Sequence, residues 1–234
     1  MGNDIENLKD KLARACRMLD MMGVIDFSGH ISARIPGAET FFIHPMELSR
    51  GEVKPDDLVE VTLEGKQIGG KMKAPHETPI HAAVYQARPD VNSVIHSHPH
   101  YAILPSIVGK ELIPICSHGA IFGSVFPVYP SSKKIETFEE AHRMAKTLGP
   151  LKAVILKGHG AVLADSTVES VLIDSLYLEE NAKVFVEASM LGQPIPLSQE
   201  EFRPVLGADS ARKIWSYFFE RARKAGIFWD EGKG

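Results

Sequence analysis

Disulfide chemistry has little material here, because 234 residues contain two cysteines, Cys16 and Cys116. They fall in stretches that read as a helix and a strand, so each is expected to pack as a small apolar residue. No oxidised framework is implied, and a chain of this length buries a core without one. Long apolar runs are missing too. Nothing approaches the ~20 consecutive apolar residues of a membrane-spanning helix, so no membrane association is expected. Basic excess is absent: 26 Lys+Arg stand against 30 Asp+Glu, a formal net charge of −4. Without a basic stripe, nucleic acid is not an expected partner. The opening residues Met1 to Glu6 show no signal-peptide pattern, and Glu6 breaks a myristoylation motif. The expectation is a cytoplasmic protein. At 44% hydrophobic and 24% charged residues, the chain reads as one domain over residues 1–234, with a C-terminal tail from about residue 208.

Periodicity gives the elements. Ile5, Leu8, Leu12, Ala15, Leu19 and Met22 recur at helical spacing, and Gly23 ends that helix. Strand-like pieces follow at 30–35, 40–44 and 58–63, and Glu64-Gly65 turns the chain into a short strand at 66–68. A helix is expected over 77–88, a strand over 91–98, then a proline-interrupted stretch and a strand over 111–116. Thr137 caps a helix to Leu148. Strands at 153–157 and 161–164 flank the turn Gly158-His159-Gly160, Thr167 starts a helix to about Leu191, and an amphipathic helix covers 208–225. The mixture predicts an α/β layered fold with a mostly antiparallel sheet.

The chemistry concentrates in histidines. Residues two apart on a strand share a face, so His96 and His98 present two imidazoles together at the end of an apolar strand. His159, flanked by glycines, supplies a third. Three neutral imidazoles with an open position are a common way to hold catalytic zinc, and Glu77 adds an acid–base carboxylate. His81, one turn after Glu77, is expected to pack or to stand behind the site. His100 and Tyr101 are placed along its wall, and His142 on a helix surface.

Taken together, Glu77-x-x-x-His81, His96-Ser97-His98 and Gly158-His159-Gly160 resemble the class II aldolase/adducin family in order and spacing. The resemblance runs from the first helix to about Leu191. It implies a three-layer α/β/α fold around an antiparallel sheet, a C4-type homotetramer with sites near subunit interfaces, and a divalent ion. Zinc is the usual ion, with Mn2+, Co2+ and Fe2+ as alternatives. His96, His98 and His159 would be the ligands and Glu77 the acid/base.

Departures from the family's phosphosugar enzymes bear on the substrate. Their phosphate loop carries asparagine where Ser28-Gly29-His30-Ile31-Ser32 has His30. A Thr/Ser-Gly element is replaced by Ile43-His44-Pro45-Met46, and a Ser-Ser pair by Ala74-Pro75. Hydroxyls and free backbone N–H groups suit phosphate, and Ala-Pro supplies little of either. Ser28, Gly29, His30, His44 and His76, with Arg34 nearby, are instead candidates to face a carboxylate. Ser117-His118-Gly119 puts His118 where family aldolases carry a tyrosine acid, as in members of decarboxylase type.

The expected function is a divalent-metal-dependent carbon–carbon lyase working through a metal-stabilised enolate or enediolate. Its expected small-molecule substrate is an unphosphorylated hydroxy-carboxylate, with decarboxylation favoured. Alternatives are an aldolase or epimerase of a small sugar or sugar phosphate, and a non-catalytic, adducin-like interaction domain. For the aromatic tail (Tyr217, Phe218, Phe219, Phe228, Trp229), packing on its own chain and closing over a neighbour's site both stay open.

Overall fold

The computed structural model describes residues 2–123, 125–203 and 207–229. Met1 and the last five residues of the expected tail lie outside the described residues. The elements are α1 (Gly2–Met21), β1 (His30–Arg34), β2 (Thr40–Ile43), β3 (Val59–Thr62), β4 (Gln67–Gly69), α2 (Thr78–Ala87), β5 (Ser93–Ser97) and α3 (His100–Ile107). They continue with β6 (Val128–Tyr129), α4 (Phe138–Leu148), β7 (Ala153–Leu156), β8 (Gly160–Asp165), α5 (Val168–Leu191) and α6 (Ala208–Lys224).

The strands form one sheet in the order β4-β3-β2-β1-β5-β8-β7-β6. Every pairing is antiparallel except β6 with β7. Alternate residues serve two cores. Ile31, Ala33, Ile95, Ile155 and Leu163 meet Leu12, Cys16 and Leu19 of α1 and Leu172 and Leu178 of α5. Phe41, Ile43, Val94, Val154 and Val162 meet Ile80, Val84 and Tyr85 of α2 and Met144 and Leu148 of α4. Helices on both faces leave the central strands buried throughout, which is the expected α/β/α layering. Each fully buried Leu or Ile contributes about 1.5–3 kcal/mol.

Caps are where the sequence placed them. Thr137 accepts from Glu140 N–H at 3.3 Å and Thr167 from Ser170 N–H at 3.0 Å, each satisfying a donor that the first helical turn leaves open.

Besides the two-residue β6, which was not expected, two elements differ from expectation. Residues 111–116 form no strand. Pro114 spoils a ladder position, and the side chain of Asn181 on α5 replaces a partner strand: its Oδ1 accepts from Ile115 N–H at 3.0 Å and its Nδ2 donates to the Ile113 carbonyl at 3.0 Å. Cys116 is half-buried and lies at a bend rather than in a strand. Cys16 is buried in α1, and burial pushes its thiol up to about 12. The second difference is α3, which arises from the proline-interrupted stretch. Pro99 takes its N-cap position and Pro105 lies inside it. Its opening N–H groups find an acceptor from another helix, because Tyr101 and Ala102 donate to the Glu179 carboxylate of α5 at 3.0 and 3.1 Å.

The tail packs on its own chain. Arg14 of α1 stands over the rings of Phe219, Phe228 and Trp229 at 5.4, 4.8 and 4.7 Å. Arg17 donates to the Ile227 carbonyl at 2.6 Å. No described helix is long and apolar enough to cross a membrane.

Candidate metal centre

β5 carries His96 on the face of Val94, opposite His30 in the β1 register. β8 runs back beside it, with Ser97 opposite Ala161. The connection from β7 turns through Gly158 in the left-handed region, φ +61°, which glycine adopts without a Cβ clash. At Gly160 the approach is closer still. A Cβ there would lie 2.4 Å from Ser97 O, 3.0 Å from His98 Cδ2 and 3.1 Å from His96 Cε1, so only hydrogen fits.

This approach gathers three rings. Centroids of His96 and His98 are 4.9 Å apart, those of His96 and His159 5.0 Å, and those of His98 and His159 5.3 Å. One nitrogen from each lies within 4.8 Å of the others. His96 is fully buried, and His98 and His159 are half-buried. Glu77, at the N-cap position of α2, completes the cluster. Its Oε2 is 3.7 Å from His96 Nε2 and its Oε1 3.9 Å from His159 Nε2. Burial raises the Glu77 pKa, against the bond that Oε1 accepts from Ile135 N–H at 2.9 Å.

The residues present fit a divalent cation. His96 Nδ1 donates to the Ala161 carbonyl at 3.0 Å, which leaves Nε2 as the lone-pair nitrogen. That Nε2 is buried without a partner, as is His159 Nδ1. An unmet buried polar atom costs about 1–3 kcal/mol, and a cation would relieve it. Burial, then the neighbouring His98 and His159, hold His96 well below its ordinary pKa; burial, then His98, bring His159 to about 4. Both are therefore in the neutral form that binds metal.

Asp26 stands behind His98 and was not singled out in the sequence. Its Oδ1 is 3.4 Å from His98 Nδ1 and accepts from Ser28 N–H, Ser28 Oγ and Gly29 N–H at 2.8, 2.9 and 3.0 Å. Asp-x-Ser-Gly is the sequence of a side-chain-capped turn, a signal that could have marked it. Arg50 was also missed. It is a buried guanidinium that donates to the carbonyls of Phe27, Gly29, Met46 and Leu48, and it stiffens the same loop. No periodic pattern announces such an arginine.

The candidate substrate residues separate. Ser28 Oγ lies 3.3 Å from His98 Nδ1, and Gly29 is bonded at both its N–H and its carbonyl, so these two build the loop. His30 and His44 are buried at 2% and 0% exposure. His30 is 5.0 Å from the His96 ring, and His44 lies behind it at 6.3 Å. His76 is exposed and is not gathered with the cluster, since the chain turns outward one residue before Glu77. Arg34 is corrected as well. At the far end of β1, it donates to the carbonyls of Tyr85, Arg88 and Val91 and closes the end of α2. His118 is not brought to the three histidines within this chain; its ring lies 4.4 Å from Tyr177 of α5. His142, exposed, pairs with Gln86 at 2.7 Å.

A cavity of about 1180 Å³ opens at the other end of the sheet, lined by Asn92, Asp165 and Arg34 among others. Lys152 there meets Asp165 and Asp174.

Residues 10–186 match the class II aldolase and adducin N-terminal domain, and the chain belongs to that family. A 3,4-dihydroxyphthalate decarboxylase of Arthrobacter keyseri is 27% identical over 235 residues, spanning 93% of this chain and 94% of that protein. Human beta-adducin is 29% identical over 208 residues, spanning 84% of this chain but 28% of the adducin. Among solved structures, an L-fuculose 1-phosphate aldolase from Glaciozyma antarctica PI12 superposes with a TM-score of 0.80 at 26% identity. It covers 95% of this chain and 91% of its own. Class II aldolases use a divalent metal, and the histidine–glutamate cluster offers a place for one.

Proposed function

We propose that this protein is a divalent-metal-dependent carbon–carbon lyase that removes CO2 from an unphosphorylated, hydroxylated carboxylate. The observation that carries the reading is the cluster of His96, His98 and His159 beside Glu77, with His96 Nε2 buried and unpartnered. Those three would hold the ion, zinc by first choice. When bound, it supplies Lewis-acid stabilisation of negative charge on substrate oxygens.

The protein's own groups do the rest. Loss of CO2 leaves an electron pair on carbon, and Glu77, whose burial favours its protonated form, delivers the proton that replaces the carboxylate. His118, whose ring packs on Tyr177, is given no step here. An unphosphorylated substrate is supported by the segment before Glu77: Ala74 and Pro75 offer no hydroxyl, and the Pro75 carbonyl already accepts from Thr78 Oγ1 at 2.5 Å. The 3,4-dihydroxyphthalate decarboxylase, similar along nearly its whole length, makes a dihydroxylated aromatic carboxylate the first compound to try. A single domain over 1–234, a homotetramer and a cytoplasmic location belong to the same proposal.

The beta-adducin similarity favours a second reading, a non-catalytic interaction domain. Metal content separates the two. Near-stoichiometric metal, CO2 release from 3,4-dihydroxyphthalate and a roughly 10²–10⁴-fold loss of turnover in Glu77→Gln are expected. A protein that takes up no metal, or a Glu77→Gln variant with full turnover, overturns the lyase reading.

A further inference from the structure

A line of buried polar groups runs away from the metal centre behind His30. His30 Nδ1 is 2.7 Å from His81 Nε2, His81 Nδ1 is 2.6 Å from Ser32 Oγ, and Ser32 Oγ is 2.7 Å from Tyr85 Oη. The four residues are 2%, 0%, 0% and 1% exposed. β1 supplies His30 and Ser32 from one face and α2 supplies His81 and Tyr85 one turn apart. The Phe41 ring packs against His81 and Tyr85 at 6.3 and 5.2 Å, which helps seal the line from water.

Such a line orders its protons in one of two directions. Burial keeps His81 at about 3 and His30 well below its ordinary value, so each ring carries one N–H. In one direction His30 Nδ1–H donates to His81, His81 to Ser32, and Ser32 to Tyr85. The phenol proton then needs another acceptor. Among the described residues, Ser32 Oγ is the hydrogen-bond partner that oxygen has. A buried O–H would stay unpaired, at about 1–3 kcal/mol. In the other direction Tyr85 donates to Ser32, Ser32 to His81 Nδ1, and His81 Nε2–H to His30 Nδ1. The three protons of the line then each have an acceptor, and the fourth sits on His30 Nε2, which is not among the buried atoms sealed without a partner.

We propose that Tyr85, Ser32 and His81 are positioning residues that hold His30 as its Nε2–H tautomer, a neutral donor facing the site for a charged oxygen of a carboxylate substrate. His30 forms a second group of potential metal donors with Glu77 and His96, all within 4.8 Å. A protonated Nε2 has no lone pair to give, so the same tautomer keeps the ion with His96, His98 and His159. The inference rests on the proposed lyase reading for its substrate and ion, while the tautomer stands apart from turnover.

The test is ring-15N NMR of histidine-labelled protein, metal-free and then zinc-loaded, with His30 assigned through His30→Gln. His30 Nε2 is expected to be protonated and Nδ1 bare in both states, while the rings of His96, His98 and His159 move on zinc addition. Tyr85→Phe, which removes one hydroxyl, should shift His30 toward a mixture of tautomers. In zinc-loaded protein, His30→Leu should weaken binding of phthalate, used as an aromatic dicarboxylate probe, about tenfold or more. His30→Gln, which keeps an N–H donor, should stay within a few-fold. A protonated Nδ1 on His30, a zinc-bound Nε2, or unchanged phthalate affinity in His30→Leu overturns the proposal. Zinc that moves no histidine signal instead sinks the metal reading, and the His30 tautomer is still read from the metal-free spectrum.

Discussion

Asp26 Oδ1 and His98 Nδ1 lie 3.4 Å apart, and the same oxygen holds the Ser28 and Gly29 amides. Against burial, which raises it, those bonds keep Asp26 below the usual carboxylate range. A charged carboxylate on Nδ1 fixes the ring and makes the opposite nitrogen more basic. Asp26→Ala should therefore weaken zinc affinity roughly 10- to 100-fold while leaving the three histidines in place. Calorimetric titration decides it, and an unchanged dissociation constant would remove Asp26 from the site.

Removing a proposed ligand should cost more than removing its support. His98 is half-buried, so His98→Ala should fold normally and lose high-affinity metal. Zinc at about 1,000 times its dissociation constant stabilises a folded protein by about 4 kcal/mol. The wild type should show a corresponding rise in melting temperature and His98→Ala almost none. Full occupancy in that variant would break the ligand assignment.

Acid should destabilise the metal-free protein. Burial is the leading cause that lowers His44 and His81 to about 3 and His159 to about 4 from 6.5, and it pushes His30 and His96 down as well. The unfolded chain takes up protons first as pH falls. The stability from these neutral rings is thus complete above 6.5 and is lost on the way toward 4 and 3. Each ring contributes up to about 1.4 kcal/mol per pH unit. Raised carboxyls at Asp20, Glu77, Asp174 and Glu179 act in the opposite sense, four groups against five. The urea midpoint should fall between pH 7 and pH 5; a flat or rising midpoint contradicts buried neutral histidines.

Gly160→Ala tests the packing that gathers the rings. Its methyl would meet Ser97 O at 2.4 Å, a backbone atom that cannot swing aside. Overpacking of this kind costs about 1–3 kcal/mol, and here it also parts β5 from β8. Lower stability and weaker zinc binding are expected together. Loss of stability with unaltered zinc affinity would show that the close approach does not shape the site.

Much of this was legible in the sequence because strand alternation and histidine spacing are local signals. Residues 91–98, 153–157 and 161–164 announced the three strands that bring His96, His98 and His159 together. What escaped depends on partners far away in the chain. Residues 111–116 have the apolar content of a strand, but Asn181 holds their backbone instead. The α3 segment looked broken at Pro99 and Pro105, yet Glu179 receives its opening N–H groups. Arg34 and Arg50 are alike by composition, and only the fold sends one to the end of α2 and the other beneath the loop at Ser28.

The pairing of β5 with β8 has a consequence for how the chain reaches its native state. A slip of one residue would turn His96, and His98 two residues on, to the opposite face of the sheet, toward the core of α1 and α5, and leave His159 alone. His159 also arrives only after α3, β6, α4 and β7 have been threaded. An ion that binds tightly therefore proofreads the strand alignment: it rewards the one register that brings the three imidazoles to a single point and ignores every misaligned one.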